Sequence, residues 1–116
     1  QFLVGLSYEN GEGVTRDYRS AAKWYARAAG KGSVNAQYRL GLLSCFGKGI
    51  GKSYANAIKW WEGAAKKGDH MAMFFLGYMY ETGSGVKRDR SKAKNYYKRA
   101  TQKGNIFAKQ AGEDLK

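Results

Sequence analysis

The stretch from Leu76 to Thr101 reads LGYMYETGSGVKRDRSKAKNYYKRAT, and variants of it occur twice more in the chain. One copy, LGLLSCFGKGIGKSYANAIKWWEGAA, lies 36 residues earlier at 40–65. The other, VGLSYENGEGVTRDYRSAAKWYARAA, lies a further 36 residues back at 4–29, and no insertion breaks the register. A fixed period of this length is typical of a solenoid, in which each repeat is one supersecondary unit that stacks on its neighbours.

Each unit contains the patterns of two helices. The first, helix A, is predicted from Val34 to Phe46 in the middle unit, because Ala36, Leu40 and Leu43 fall on one helical face. The second, helix B, is predicted over 17–31, 53–67 and 89–103, where alanines and aromatic residues alternate at spacings of 3 and 4. The aromatic pairs are Trp24 and Tyr25, Trp60 and Trp61, and Tyr96 and Tyr97.

Residues suited to turns and caps separate the helices. A glycine and an N-cap residue precede helix A, as in Gly32 and Ser33, which predicts a very short turn. Asp17, Ser53 and Asp89 are N-cap types at the start of helix B, and the loops before them are Gly-rich. A glycine also recurs inside helix A, at Gly5, Gly41 and Gly77. Glycine destabilises a helix interior, so its recurrence predicts a close contact between helices.

The sequence therefore predicts an all-α solenoid of about three helix-turn-helix repeats forming one domain, residues 1–116. The units are expected at roughly 1–32, 33–68 and 69–104. Residues 105–116 open like another helix A, with Ala108 in the slot of Ala36, but Glu113 replaces the helix glycine and Asp114 and Lys116 are polar. We interpret this stretch as a capping helix, which gives seven helices.

The composition limits the classes of function. Lys and Arg number 21 against 9 Asp and Glu, a net charge of +12, which favours acidic proteins, anionic membrane surfaces or nucleic acid as partners. The single cysteine, Cys45, excludes an internal disulfide framework. No apolar run approaches the length of a membrane span. Because the first residue is Gln1 rather than Met, we expect a mature or excised fragment.

Three short patterns suggest chemistry but are better explained by the repeat. The segment GKGIGKS at 47–53 matches the end of a phosphate-binding loop, yet a predicted helix precedes it where that loop requires a strand. Ser20 and Lys23 match the S-x-x-K of β-lactam-binding enzymes, without the companion elements. His70, the only histidine, follows an N-cap and has no catalytic partner in the pattern. We therefore predict no catalytic, metal or cofactor site.

Together the slots A-x-Y/F-x-L-G, G-x-G-V-x-x-D and A-x-x-W/Y-Y/W-x-x-A-A-x-x-G resemble the Sel-one-like repeat family, over nearly the whole chain. The resemblance implies a right-handed superhelix related to tetratricopeptide repeats, with helices A on the concave surface. It also implies an adaptor or scaffold, often bacterial and often exported or associated with the cell envelope. The expected location is accordingly the bacterial periplasm or envelope, with the cytoplasm left open. Ser44 and Ser53 depart from the pattern.

Partner contacts are predicted at slots that vary on helix A, because solenoids bind through their concave face. In the middle unit Cys45 and Phe46 stand where the first unit has Glu9 and Asn10, so an apolar spot is expected there. Burial between repeats is the alternative explanation. The predicted partner-binding residues are Gln37, Arg39, Leu42, Cys45, Phe46, Met73, Phe75, Tyr78 and Glu81.

A second surface is predicted on helix B, where basic residues recur at i, i+4 spacing. We call it the basic ridge; it consists of Arg19, Lys23, Arg27, Lys31, Lys59, Lys67, Arg99 and Lys103. It is either a solvated face or a docking site for an acidic or anionic surface.

Two functions follow from these surfaces. The first is a non-enzymatic protein–protein interaction module, monomeric or in a heterocomplex. For its partner, the family resemblance implies envelope or secretion machinery or a cognate effector. The second is a module that binds nucleic acid or an anionic surface, and nucleic acid is the less favoured partner.

Overall fold

The computed structural model describes Leu3, Gly5, Glu9 and residues 17–115. Six helices run through residues 17–115: α1 Tyr18–Gly30, α2 Val34–Phe46, α3 Tyr54–Lys66, α4 His70–Thr82, α5 Arg90–Gln102 and α6 Ile106–Asp114. Each helix packs against the next along the chain, and this part of the chain has no β-strand. The predicted all-α solenoid is confirmed, with α2 and α4 as helices A and α1, α3 and α5 as helices B.

The predicted first helix A falls largely outside the described residues, although Leu3, Gly5 and Glu9 are helical. The Gly-rich loop at 11–14 also lies outside them. The described elements extend along one direction, with principal extents of 45 × 26 × 22 Å. None of the described helices is long and apolar enough to cross a membrane.

The predicted caps form as the sequence indicates. Asp17, Ser53 and Asp89 accept hydrogen bonds from backbone N–H groups in the first turn of each helix B. Ser33, Asp69 and Asn105 do the same for α2, α4 and α6. The glycines just before these last three caps have φ values of +92°, +93° and +94°, a conformation that other residues rarely adopt. One identical turn therefore joins each helix B to the next helix A.

Each helix B buries one aromatic side chain beneath a glycine of the preceding helix A. Tyr25, Trp61 and Tyr97 are at most 1% exposed. A Cβ added to Gly77 would lie 2.6 Å from Tyr97 Cε1, and Gly5 and Gly41 meet Tyr25 and Trp61 in the same way. The predicted close contact at these glycines is confirmed, because only a residue without a side chain leaves room for the ring.

The closing helix α6 covers the end of the third unit. Ala108 is fully buried and Leu115 is 5% exposed. Arg90 Nη2 donates a hydrogen bond of 2.8 Å to the carbonyl oxygen of Leu115, which ties the end of the chain to α5. The helix is less polar than expected, because Ile106 and Phe107 are 73% and 61% exposed.

Candidate functional site

The predicted partner-binding residues lie on α2 and α4, and we call the surface that they share the helix-A face. Phe46 and Tyr78 are its most exposed large side chains, at 60% and 51%. Six others are half-buried: Gln37, Arg39, Leu42, Cys45, Phe75 and Glu81. The remaining residue, Met73, is buried.

Met73 is the exception, and its assignment to a partner is wrong. It is 3% exposed and packs in the core with Leu76 and Met79. Gln37 occupies the same slot one unit earlier, and its Oε1 is buried without a hydrogen-bond partner among the described residues. That oxygen lies 3.4 Å from the position of a Cβ on Gly63 of α3. The slot therefore points toward helix B of the same unit, where a partner has no access.

Glu9, Cys45 and Glu81 occupy equivalent positions in the three units, and hydrogen bonds within the protein explain why these residues differ. The Tyr97 hydroxyl donates a 2.6 Å hydrogen bond to Glu81 Oε1, and the Tyr25 hydroxyl donates an equal one to Glu9 Oε1. The middle unit has Trp61 in place of tyrosine, and its Nε1 donates to the backbone oxygen of Tyr38 at 3.2 Å.

The slot therefore holds a glutamate where helix B supplies a hydroxyl, and a cysteine where it does not. This relation could have been found in the sequence, because each glutamate at the slot accompanies a buried tyrosine and the cysteine accompanies the buried tryptophan. Glu81 consequently has a scaffold role.

Tyr97 is expected to make the protein sensitive to alkaline pH. Burial, and then the hydrogen bond to Glu81, raise the pKa of the Tyr97 hydroxyl above its ordinary value of 10.0. Because this pKa is higher in the folded chain, the stabilisation is complete below the unfolded-state pKa and is lost as the pH rises past about 10.

The measurement is urea unfolding across about pH 9–11. The free energy of unfolding should fall more steeply with pH in the wild type than in Tyr97→Phe. Tyr97→Phe also removes a hydrogen bond at every pH, so the slope is the informative quantity. Parallel slopes in the two proteins would contradict the assignment.

An aromatic groove of about 410 Å³ opens on the helix-A face between α2 and α4. Its exposed rim consists of Phe46, Tyr54 and Tyr78, and its inner wall includes Trp61, Phe74 and Phe75. Phe75 stacks on Trp61 with ring centroids 5.1 Å apart and meets Phe74 edge-on at 5.3 Å. The apolar spot expected at Cys45 and Phe46 is thus part of a larger groove.

Three of the groove's aromatic residues, Tyr54, Trp61 and Phe74, are absent from the predicted partner-binding set. Trp61 was assigned only to the aromatic pair of its helix B. Phe74 shares its slot with Tyr38, so it looked like a scaffold position. Tyr54 was missed because it belongs to a helix B. It follows the N-cap Ser53 directly, and an aromatic residue at the first position of a helix was the available signal.

One cation lies at the edge of the groove. Lys52 Nζ is 5.1 Å from the centroid of the Tyr54 ring. Burial raises the pKa of the Cys45 thiol, and the positive charge of Lys52 acts in the opposite direction. The Lys52 ammonium is therefore close enough to two groove-lining residues to interact with both.

All eight residues of the basic ridge are exposed. Some of them also serve the scaffold. Lys67 Nζ donates a 3.2 Å hydrogen bond to the backbone oxygen of Gly32 in the previous unit. The guanidinium carbon of Arg27 lies 4.8 Å from the Trp24 ring centroid, and that of Arg99 lies 5.5 Å from the Tyr96 ring centroid. The ridge is accessible, but Lys67 has a structural role.

The patterns that suggested chemistry have structural roles. The loop at 47–53 follows helix α2, and a Cβ on its Gly49 would collide with the backbone of Tyr18. The Ser20 hydroxyl donates to Asp17 Oδ2 at 2.9 Å beside the start of α1. His70 Nδ1 lies 3.1 Å from Asn105 Nδ2, between two adjacent helices A. The described residues contain no group of three His, Cys, Asp or Glu side chains that could hold a metal ion.

Comparison with known proteins now gives the family. A family model described as the Sel1 repeat matches residues 1–33, 34–69 and 70–105. The chain belongs to the Sel1 repeat family. The resemblance seen in the sequence is thereby confirmed. Proteins of this family are generally protein–protein interaction modules and are typically non-catalytic scaffolds.

Two solved structures share the fold. One is c5321, a protective antigen present in uropathogenic Escherichia coli strains that displays an SLR fold; it is 38% identical, with a TM-score of 0.90 over 92% of this chain and 23% of that one. The other is a Sel1 repeat protein from Oxalobacter formigenes, 35% identical, with a TM-score of 0.88 over 91% of this chain and 44% of that one. The Sel1 chain thus spans less than half the length of either structure. No curated protein sequence matches it.

Proposed function

We propose that this Sel1 repeat chain is a non-enzymatic interaction module that binds a protein partner through the helix-A face, as an adaptor, scaffold or immunity-type binder. The aromatic groove carries the proposal. Three large aromatic side chains on its rim, Phe46, Tyr54 and Tyr78, are more than a third exposed. Contiguous exposed apolar surface of this kind marks interaction sites, and aromatic residues are enriched where binding energy concentrates.

The charge of the chain favours an acidic partner. With a net charge of +12, the chain attracts acidic surfaces from a distance and raises the rate of encounter. Arg39 adds a cation on the helix-A face itself, where its Nη1 lies 3.8 Å from Glu9 Oε2 and its side chain is 34% exposed. The net charge of the whole molecule and the contacts at the groove therefore contribute separately to binding of the partner.

The basic ridge supports a second function, binding of nucleic acid or an anionic surface. Its eight exposed cations are the observation in favour. Binding of this kind weakens steeply as salt rises, because each phosphate contact releases a counterion. Salt-tolerant binding to one protein would favour the first function, and steeply salt-dependent binding to unrelated DNA would favour the second.

The experiment that tests the first function is affinity capture from cells that naturally produce the protein. The bait is compared with its Phe46→Glu and Arg39→Glu variants on the helix-A face. Lys23→Glu on the basic ridge is the charge-matched control. We expect one protein to be retained by the wild type and by Lys23→Glu and to be lost from both helix-A variants. Loss from Lys23→Glu alone would contradict the proposal.

A further inference from the structure

We propose that the aromatic groove is a receptor for a peptide segment that inserts one bulky apolar side chain and places a carboxylate beside Lys52. This inference rests on the proposed function and specifies the class of partner that the helix-A face accepts. It depends on three properties of the groove: its apolar lining, the uncharged residue at the Cys45 slot, and the cation Lys52 at its edge.

The lining of the groove is suited to an apolar side chain. None of its described lining residues carries a charge, and most of them are aromatic. Its polar groups are the Cys45 thiol, the Ser84 hydroxyl, which is paired with the Thr82 hydroxyl at 2.8 Å, and the polar atoms of its aromatic residues. The last are the hydroxyls of Tyr54 and Tyr78, on the rim, and Trp61 Nε1, which donates to the Tyr38 backbone oxygen. A volume of about 410 Å³ lies toward the small end of the range of roughly 300–1,000 Å³ for ligand sites. One large aliphatic or aromatic side chain with its adjoining backbone is the expected occupant.

The groove results from two linked departures from the repeat. In the third unit Glu81 accepts a hydrogen bond from Tyr97 and places a carboxylate at the slot that Cys45 occupies in the middle unit. Trp61 directs its only donor to the Tyr38 backbone, so the middle unit needs no acceptor at that slot. The resulting cysteine leaves the wall uncharged beside the exposed Phe46 ring.

Two basic residues occupy equivalent loop positions, and one of them, Lys52, has its charge at the groove. Lys52 follows the loop after α2 and lies over the Tyr54 ring on the rim. Arg88 holds the same place 36 residues later, and its Cβ is 3.3 Å from the position that a Cβ on Gly83 would occupy. Gly83 adjoins Ser84, which lines the groove. None of the described lining residues is acidic, so a carboxylate of the ligand would face Lys52 without an acidic residue of the lining beside it.

The test is selection of a random dodecapeptide library, displayed on phage, against the intact chain. We expect the enriched peptides to share one Leu, Ile, Phe or Trp with Asp or Glu within a few residues of it. Synthetic peptides of those sequences should bind Tyr78→Ala at least about tenfold more weakly than the wild type, as expected for the loss of a central aromatic contact. Lys52→Met should weaken binding and reduce its dependence on salt, while Lys59→Met on the basic ridge should change neither.

Several results would overturn the inference. They are enrichment of basic peptides, no enrichment at all, or selected peptides that bind Tyr78→Ala as tightly as the wild type. Self-association of the chain that disappears in Phe46→Ser would assign the groove to a second copy instead. Phe46 and Tyr78 are more than half exposed, so circular dichroism spectra of their variants should match the wild type.

The two proposals can fail separately. If peptide selection fails while capture retains a partner that depends on Arg39, the helix-A face binds through another contact and the proposed function stands. If selection succeeds while capture shows no dependence on Phe46 or Arg39, the groove binds peptides but the proposed function is wrong.

Discussion

Trp61→Ala is expected to lower the free energy of unfolding by about 3–5 kcal/mol, the range observed when a buried aromatic side chain is truncated. The side chain is fully buried, and its ring fits under Gly41 and stacks on Phe75. Truncation empties the space between α2, α3 and α4 and leaves the Tyr38 carbonyl without its donor. Because domains are stable by only about 5–15 kcal/mol, a large part of the fold's stability would be lost.

The matched control is Trp60→Ala, one residue earlier on the same helix. The sequence pattern alone assigned a core role to Trp60, but the side chain is half-buried and lies at the edge of the cluster formed by α1 and α2. Its truncation should therefore cost less than that of Trp61. Urea unfolding of both variants gives the comparison. A larger loss in Trp60→Ala would mean that the phase of α3 is wrong.

Gly77→Ala is expected to destabilise the protein by about 1–3 kcal/mol, which is typical of overpacking a core. The new Cβ would lie 2.6 Å from Tyr97 Cε1 and 2.7 Å from Cδ1, closer than carbon atoms approach in proteins. Tyr97 cannot move aside freely, because its hydroxyl is bound to Glu81 and its ring contacts Phe74. The usual gain from replacing a helical glycine by alanine, about 1 kcal/mol, is therefore outweighed.

Gly112→Ala is the control, because Gly112 faces the same tyrosine at an ordinary distance. A Cβ there would be 3.6 Å from Tyr97 Cβ, so the substitution should leave stability unchanged or raise it by up to about 1 kcal/mol. The readout is the midpoint of urea unfolding. If both variants shift it in the same direction and by the same amount, the glycines of helix A are not required by the buried ring.

The helices could be predicted from the sequence because their limits are set locally. Ser33 and Gly32, for example, determine where α2 begins through one hydrogen bond and one backbone conformation, and neither depends on distant contacts. The glycines of helix A were also informative, since their cost in a helix demands a compensating contact. Agreement between the copies made each signal stronger than it would be in a single unit.

The candidate site was only partly predictable because it depends on helix phase and on pairs of slots. A small error in the assumed rotation of a helix A turns an exposed position, such as that of Phe46, into a buried one, such as that of Met73. The periodicity of apolar residues in the sequence does not resolve an error of that size. Glu81 varied for a reason that lies on the facing helix, in the hydroxyl of Tyr97. Tyr54 is the first residue of α3, and the turn after α2 brings it to the groove, although its position in a helix B had excluded it from the prediction.

The central claim, that the helix-A face holds a protein partner, is tested most directly by site-specific photo-cross-linking in the native cell. Tyr78 is replaced by photoreactive p-benzoylphenylalanine in one strain and Lys23 in another, and both positions are exposed. The account predicts an adduct with one protein from position 78 and none from position 23. Adducts that form only from position 23, with a protein or with nucleic acid, would contradict it.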